Sequence, residues 1–366
     1  MKSLFAVALA TMMLASCSKE KTMDAPAGNG EKTNFEVALP GTIDTYAVES
    51  PQTAGLITPL YNDVTVYLVD AGDNATAYAW TDAEIKSKSK RFEQITEPAK
   101  VIVVVNKGTA TLPQSATMAA LKTALDAIAV ADQNKASANV SAEDDKGNAA
   151  GDYISAQQVT LYGEQTVFTD ETADDGHTLK KAAVELKSLV SRFEVGTVKA
   201  GKGLKSLNVE AVYVNYFYNE YGKTTKQAHT EVSWPVSFTP AWATDNASGE
   251  VTSQKGTKAY AYQVFAGDLV PHIIYKVGGE LETGYKLADG TQGTFTGKYI
   301  TVKGFKESDT AIEAIEAHKI YKMGLTDGGI EITPEEITDK PEKDKIDLIV
   351  AVTVAAWTET TVTPEI

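Results

Sequence analysis

The sequence predicts an all-β protein made of antiparallel sandwiches with one or two short helices, and three observations carry that expectation. Thr, Val and Tyr, which fit a pleated and half-buried surface, are plentiful. Short apolar runs with a two-residue period recur, divided by Gly, Pro, Asn and Asp. Runs with the spacing of a long amphipathic helix are few. The chain has 366 residues, 43% of them apolar, enough to fill two cores.

The N-terminal segment reads as an address rather than as structure. Lys2 precedes the apolar run LFAVALATMMLA, too short to span a membrane and suited to a secretory signal over 1–16. Cys17 follows directly, in the lipobox pattern where signal cleavage leaves a lipid-bearing first residue. It is the sole Cys, so no intramolecular disulfide can form. Each acyl methylene that enters a bilayer contributes ~0.8 kcal/mol, so two or three chains on Cys17 would hold the protein at a membrane. Residues 17–33 are polar, with Pro and Gly, and read as a flexible tether.

Folded structure is expected from Asn34. In a first strand at 34–40, Phe35, Val37 and Leu39 alternate with Asn34, Glu36 and Ala38, and Pro40-Gly41 stops it. The irregular TIDTYAVESPQTAG follows, then a strand DVTVYLVD at 63–70. KVIVVVN at 100–106 is apolar on both faces, the mark of a central, doubly covered strand. After Pro113, Ser115 is a candidate cap for a short helix that places Met118, Leu121, Leu125 and Ile128 on one face. The polar stretches 131–152 and 170–177 read as solvated loops.

From Val184 strands crowd together: VELKSLVSRFEVGTVKA, then SLNVEAVYVNYFYNEYG. GKGLKS at 201–206 reads as the turn between them, and Asp289-Gly290 as a hairpin turn before FTGKYITV. Strands separated by turns without helices point to sandwiches, divided into domains 34–184 and 185–366. The last strand lies in 346–366, where Val350, Val352 and Val354 alternate with smaller residues. Nothing after it supplies a partner, and an apolar edge left unpaired aggregates. Its expected partner is therefore a neighbouring copy. Pro341 and the charged residues 342–345 read as the hinge that lets this tail reach outwards.

Charge and motifs narrow the function. With 34 basic against 49 acidic residues the net charge is −15, which repels phosphate backbones and argues against nucleic acid. His177, His229, His272 and His318 are far apart, with no H-E-x-x-H spacing, so no metal is assigned. The acidic runs lack calcium-loop order, and no G-x-S-x-G is present. No catalytic residue and no cofactor are expected.

Taken in order, the Cys17 lipobox, NFEVALPG with TYA close behind, DVTVYLVD, KVIVVVNKG followed by a helix, LVSRFEVGTVKA, and the tail HKIYKMGLT to IDLIVAVTVAAWTETTVTPEI carry a likeness. Over its whole length the chain resembles the FimA-like fimbrillins of Bacteroidales, major subunits of type V pili. The resemblance implies two transthyretin-like β-sandwich domains and no enzyme activity. It also implies an assembly route: a maturation protease removes the first strand of a lipidated precursor, and the C-terminal strand of another fimbrial subunit fills the groove. Leu348, Val350, Val352 and Val354 entering such a groove would gain about 6–12 kcal/mol gross, and Phe35, Val37 and Leu39 about 4.5–9. The two strands are thus plausible competitors. Trp357 reads as a packing anchor.

One departure stands out. In the family the cut usually follows an Arg before Ala, whereas Thr45-Tyr46-Ala47 has Tyr46 there, and no Lys or Arg occurs between Lys32 and Lys86. The sequence therefore leaves open a protease of other specificity, a cut at Lys32 that keeps the first strand, or an unprocessed anchor or accessory subunit. A surface lipoprotein that stacks glycans or holds host proteins on Trp234, Trp242 or Tyr216 is the reading from another class.

Overall fold

A computed structural model describes residues 32–39, 45–46, 56–57, 61–134, 159–172, 178–196, 198–234, 251–252, 258–307, 309–324, 329–343 and 348–356. The fold is an all-β sandwich architecture with three short α-helices.

Residues 32–188 build two sheets. A four-stranded sheet runs in the order 169–172, 178–183, 32–38, 89–96. A six-stranded sheet runs in the order 187–188, 161–165, 100–105, 64–69, 74–79, 115–117. Strands Val64–Val69 and Lys100–Val105 lie in the middle of the latter, and Val64–Val69 and Val101–Val105 are buried on both faces. The unbroken apolar run Val101–Val105, in place of strict alternation, follows from that double cover. Tyr67 is buried too, and its hydroxyl is satisfied by donating to the Pro113 carbonyl at 2.8 Å.

The helix Met118–Asp126 buries Leu121 and Leu125 as their spacing predicts. Its cap is Thr117 rather than Ser115, because Ser115–Thr117 pairs as a short strand with Asn74–Thr76. The helix Asp82–Ser87 was not anticipated; it opens on a capping box, Thr81-x-x-Glu84, in which Glu84 Oε2 accepts from Thr81 N at 2.7 Å. A third helix, Val130–Gln133, occupies the start of the expected 131–152 loop, and Asp132, Gln133 and Asn134 are buried there. Thr169–Thr172 is likewise a strand, paired with Thr178–Lys181 and exposed, where a loop was expected.

Residues 190–356 build a nine-stranded sheet that folds over itself, in the order 204–215, 272–281, 294–307, 348–356, 319–323, 190–195, 258–265, 251–252, with 310–311 beside 294–307. Phe193 anchors its core, stacked on Tyr321 with centroids 4.9 Å apart and tilted against Phe305 at 5.3 Å. Gly203, at φ 91°, makes the turn into the strand that starts at Leu204, as GKGLKS suggests. The hairpin around Asp289-Gly290 is longer than expected: strands His272–Leu281 and Thr294–Glu307 pair, and Tyr285–Leu287 joins neither.

The pairing is not purely antiparallel. Strand 32–38 runs parallel to 178–183, 190–195 to 319–323, and 294–307 to 348–356. Parallel neighbours need long crossovers. Those crossovers leave no local turn signal, which is why a reading of hairpins misses them.

The third helix and its flanks join the two sets of sheets. Val130 N donates to Asn219 O at 2.8 Å, Tyr221 N to Ile128 O at 2.9 Å, and Gly222 N to Asp126 O at 2.8 Å. The Asn134 amide imitates a strand partner, donating to Gln263 O at 2.9 Å and accepting from Gln263 N at 2.8 Å.

Candidate functional site

The first strand, Lys32–Ala38, begins two residues before its expected start and lies inside the four-stranded sheet. It pairs parallel to Leu179–Ala183 on one side and antiparallel to Ser89–Thr96 on the other. Phe35 and Val37 are 0% exposed and Leu39 7%, all turned into the core as the alternation predicts. The Phe35 ring meets Phe168 edge-on, with centroids 5.0 Å apart. Leu39 N donates to Lys88 O at 2.9 Å, and Ala38 O accepts from Val184 N at 3.0 Å. Taking this strand away would leave two unpaired strand edges flanking an apolar trough.

Thr45–Tyr46 forms a two-residue ladder with Leu56–Ile57. Ala47 and Cys17 lie outside the described residues, as does Trp357.

The last strand, Leu348–Ala356, corrects the expectation that it lacks a partner in its own chain. Its first half runs parallel to 302–306, with Phe305 opposite Val350 and Lys306 opposite Ala351. Its second half runs antiparallel to Lys319–Met323, with Met323 opposite Val352 and Tyr321 opposite Val354. Val350 and Val352 are buried while Ala351 is exposed, which keeps the two-residue period. The side chains of Leu348 and Val354 lie outside the described residues.

The strand therefore bridges two sheet edges, and among the described residues each half is paired on one side only. The first strand is paired on both sides over Asn34–Ala38, with a bulge at Asn34 on one of them. A ladder bond contributes a net ~0.5–1.5 kcal/mol, so residue for residue the last strand is held by roughly half the ladder energy of the first.

The expected hinge is also corrected. Pro341 and Glu342 are buried, not solvated. Glu342 holds a left-handed backbone (φ 59°), and its carboxylate accepts from Asn215 Nδ2 at 2.7 Å and lies 2.8 Å from His272 Nδ1. The charged pattern of 342–345 concealed this, because the partners of Glu342 are 127 and 70 residues away in sequence. No sequence signal would have found them.

The other residues singled out from sequence are packed. Tyr216 stacks on His272 with centroids 4.1 Å apart, and Trp234 meets Tyr213 edge-on at 5.8 Å. His318 Nδ1 accepts weakly from Ser188 N at 3.4 Å, while His177 and Trp242 lie outside the described residues. Among the described residues no group of His, Cys, Asp and Glu has the geometry of a metal site. A cleft of about 670 Å³ separates the two sets of sheets beside Lys122, Tyr162, Glu185 and Lys187. Lys122 pairs with Asp126 at 2.8 Å and Lys187 with Glu185 at 3.0 Å.

No protein-family profile matches the chain, and no curated protein matches it either. Solved structures do. A fimbrilin of Porphyromonas gingivalis superposes with TM-score 0.47 at 13% identity, over 90% of this chain and 98% of that one. A candidate cell adhesion protein of Bacteroides eggerthii superposes with TM-score 0.46 at 16% identity, over 90% and 97%. A fimbrial anchor protein of P. gingivalis superposes with TM-score 0.30 at 10% identity, over 68% and 78%.

Proposed function

We propose that this chain is a structural subunit of a surface fimbria that polymerises by strand exchange. It is exported as a precursor lipidated on Cys17 and held at the outer membrane until processing. Its two sandwich domains, 34–184 and 185–366, act as acceptor and donor. The observation that carries this reading is the state of the strand 348–356: apolar on one face and, among the described residues, laddered on one side only along each half. Residue for residue such a strand leaves its sheet at lower cost than one paired on both edges, and main-chain bonds together with burial of its valines would hold it in a vacated groove.

The doubly paired first strand supplies the control. While it stays, the groove is closed; its covalent removal opens an acceptor with Phe35, Val37 and Leu39 gone. Thr45-Tyr46-Ala47 lies in the connection where a cut separates this strand from the rest. A protease that does not require Lys or Arg has to make it, since that connection contains neither.

The same shortage of basic residues favours one second reading, an anchor or accessory subunit that keeps its first strand and terminates a filament. Cutting after Lys32, at the exposed start of the strand, also leaves the strand in place. N-terminal sequencing of the protein from cells separates the two: a start within 41–56 indicates a shaft subunit, a start at Cys17 or Thr33 a terminating one. Deleting 346–366 from a chain that begins past residue 41 tests the donor role, with polymerisation lost if the reading holds.

A further inference from the structure

We infer that Glu342 is the anchor that fixes where the exchanging segment begins, so that the tail leaves its own sandwich only beyond Lys343; this rests on the strand-exchange reading. Two strands supply the partners of one buried carboxylate, and a third holds the backbone N–H of the same residue. Asn215, at the end of strand 204–215, donates to Glu342 Oε1 at 2.7 Å, and His272, at the start of strand 272–281, places Nδ1 at 3.0 and 2.8 Å from the two oxygens. Thr301, in strand 294–307, accepts from the Glu342 N–H at 3.1 Å.

The ligands are themselves held. The Tyr216 ring covers His272, and Asn215 is fixed by exchanging bonds with the His229 backbone at 2.8 and 2.9 Å. Both Glu342 and Tyr216 adopt left-handed backbone conformations, at φ 59° and 58°, which bulky residues keep only where their surroundings dictate it.

The segment leading to Glu342 is stitched to the same strand. Thr338 and Tyr299 exchange backbone bonds at 2.8 and 2.9 Å, and Lys303 Nζ, at a bulge in that strand, donates to Lys343 O at 3.1 Å. Lys343 pairs with Asp339. Thus 338–343 is fastened to its neighbours at Thr338, Glu342 and Lys343, and Glu342 is its one buried charge. Cutting a charge-assisted knot of this kind loosens everything strung behind it.

A fixed root gives every subunit the same free length of tail, and hence one spacing between neighbours along a filament. Without the knot the root can peel back toward Thr338, and the length donated becomes variable. Glu342, Asn215 and His272 are on this account positioning residues: none of them enters the neighbour.

Hydrogen exchange read by mass spectrometry tests the anchor in the full-length monomer, without any polymer. In wild type, the hydrogen-bonded amides of Thr338 and Glu342 are expected to exchange as slowly as those of Tyr299–Lys303. Glu342→Ala is expected to speed exchange at these two positions by about tenfold or more. Glu342→Gln, which keeps the shape and one acceptor, should lie between, and Lys340→Ala, with its exposed side chain, should match wild type. If Glu342→Ala does not fold, His272→Ala carries the same test from the other side of the knot.

In fibres, wild type should retain protection at Thr338 and Glu342 while 348–356 sits in a neighbour. Fibres of Glu342→Ala should show a longer or irregular repeat by electron microscopy, an effect that the core variant Val66→Ala should not produce. Wild-type amides of Thr338 and Glu342 that exchange freely, or a Glu342→Ala protein identical to wild type in exchange and repeat, overturn the anchor. Failure of the wild-type chain to polymerise at all overturns the fimbrial reading instead, and leaves the monomer result to decide whether the knot exists.

Discussion

At the scale of single residues, three side chains report on different forces. Phe35 is fully buried and edge-on to Phe168, so Phe35→Ala should remove its transfer energy and leave a cavity, a loss of about 3–5 kcal/mol in urea unfolding. Arg192 is 0% exposed, and its Nε lies 3.3 Å from Glu194 Oε1, itself on a 1% exposed side chain. Replacing one member takes this ion-pair partner from the other's buried charge. Arg192→Met should therefore cost about 3–5 kcal/mol, and the double variant with Glu194→Met should recover much of it. Tyr67 sets an alkaline limit: burial pushes its phenol from 10.0 up to about 12. A folded-state pKa above the unfolded one means the stability is complete below about pH 10 and drains away as pH rises through about 12. Thermal unfolding between pH 9 and 12 should thus fall less steeply for Tyr67→Phe than for wild type, although that variant also loses the 2.8 Å bond to Pro113 and starts lower.

Among elements, the contrast that matters is between the strands at the two ends of the chain. Lys32–Ala38 has partners on both edges, whereas Leu348–Ala356 pairs with one strand along its first half and with another along its second. Amides of 348–356 should consequently exchange with solvent at least tenfold faster than those of 34–38 in the intact monomer. Equal protection would remove the asymmetry on which the donor role depends. The sequence showed each strand because Phe35, Val37 and Leu39, or Val350 and Val352, alternate visibly. It could not show their neighbours, since Val37 faces Ala182 and Lys90 and Val350 faces Phe305 across long separations. The helix at 118–126 was legible because its apolar spacing is local. The knot at Glu342 was not, and a Pro followed by four charged residues was read as a hinge when the first of those charges is buried on a His and an Asn.

For the whole molecule, all-β architecture followed from composition and punctuation, whereas the parallel pairings and the docking of 126–134 onto 219–222 and 263 did not. That docking ties the two sets of sheets together by backbone bonds. The Asn134 amide is the part of it most open to test. Asn134→Ala deprives the Gln263 backbone of two partners, and a loss of about 1–3 kcal/mol with a broadened, less cooperative unfolding transition is expected by calorimetry.

Strand release is tested most directly by tying the last strand to its own sheet. Lys322 and Thr353 are register partners in the ladder, so Lys322→Cys with Thr353→Cys, in a chain that begins past residue 41 and so lacks Cys17, offers a reversible lock. Fibre formation is followed by electron microscopy with the disulfide formed and after its reduction. The account predicts no fibres from the oxidised protein and fibres once it is reduced; oxidised protein that polymerises as readily as the reduced form contradicts it.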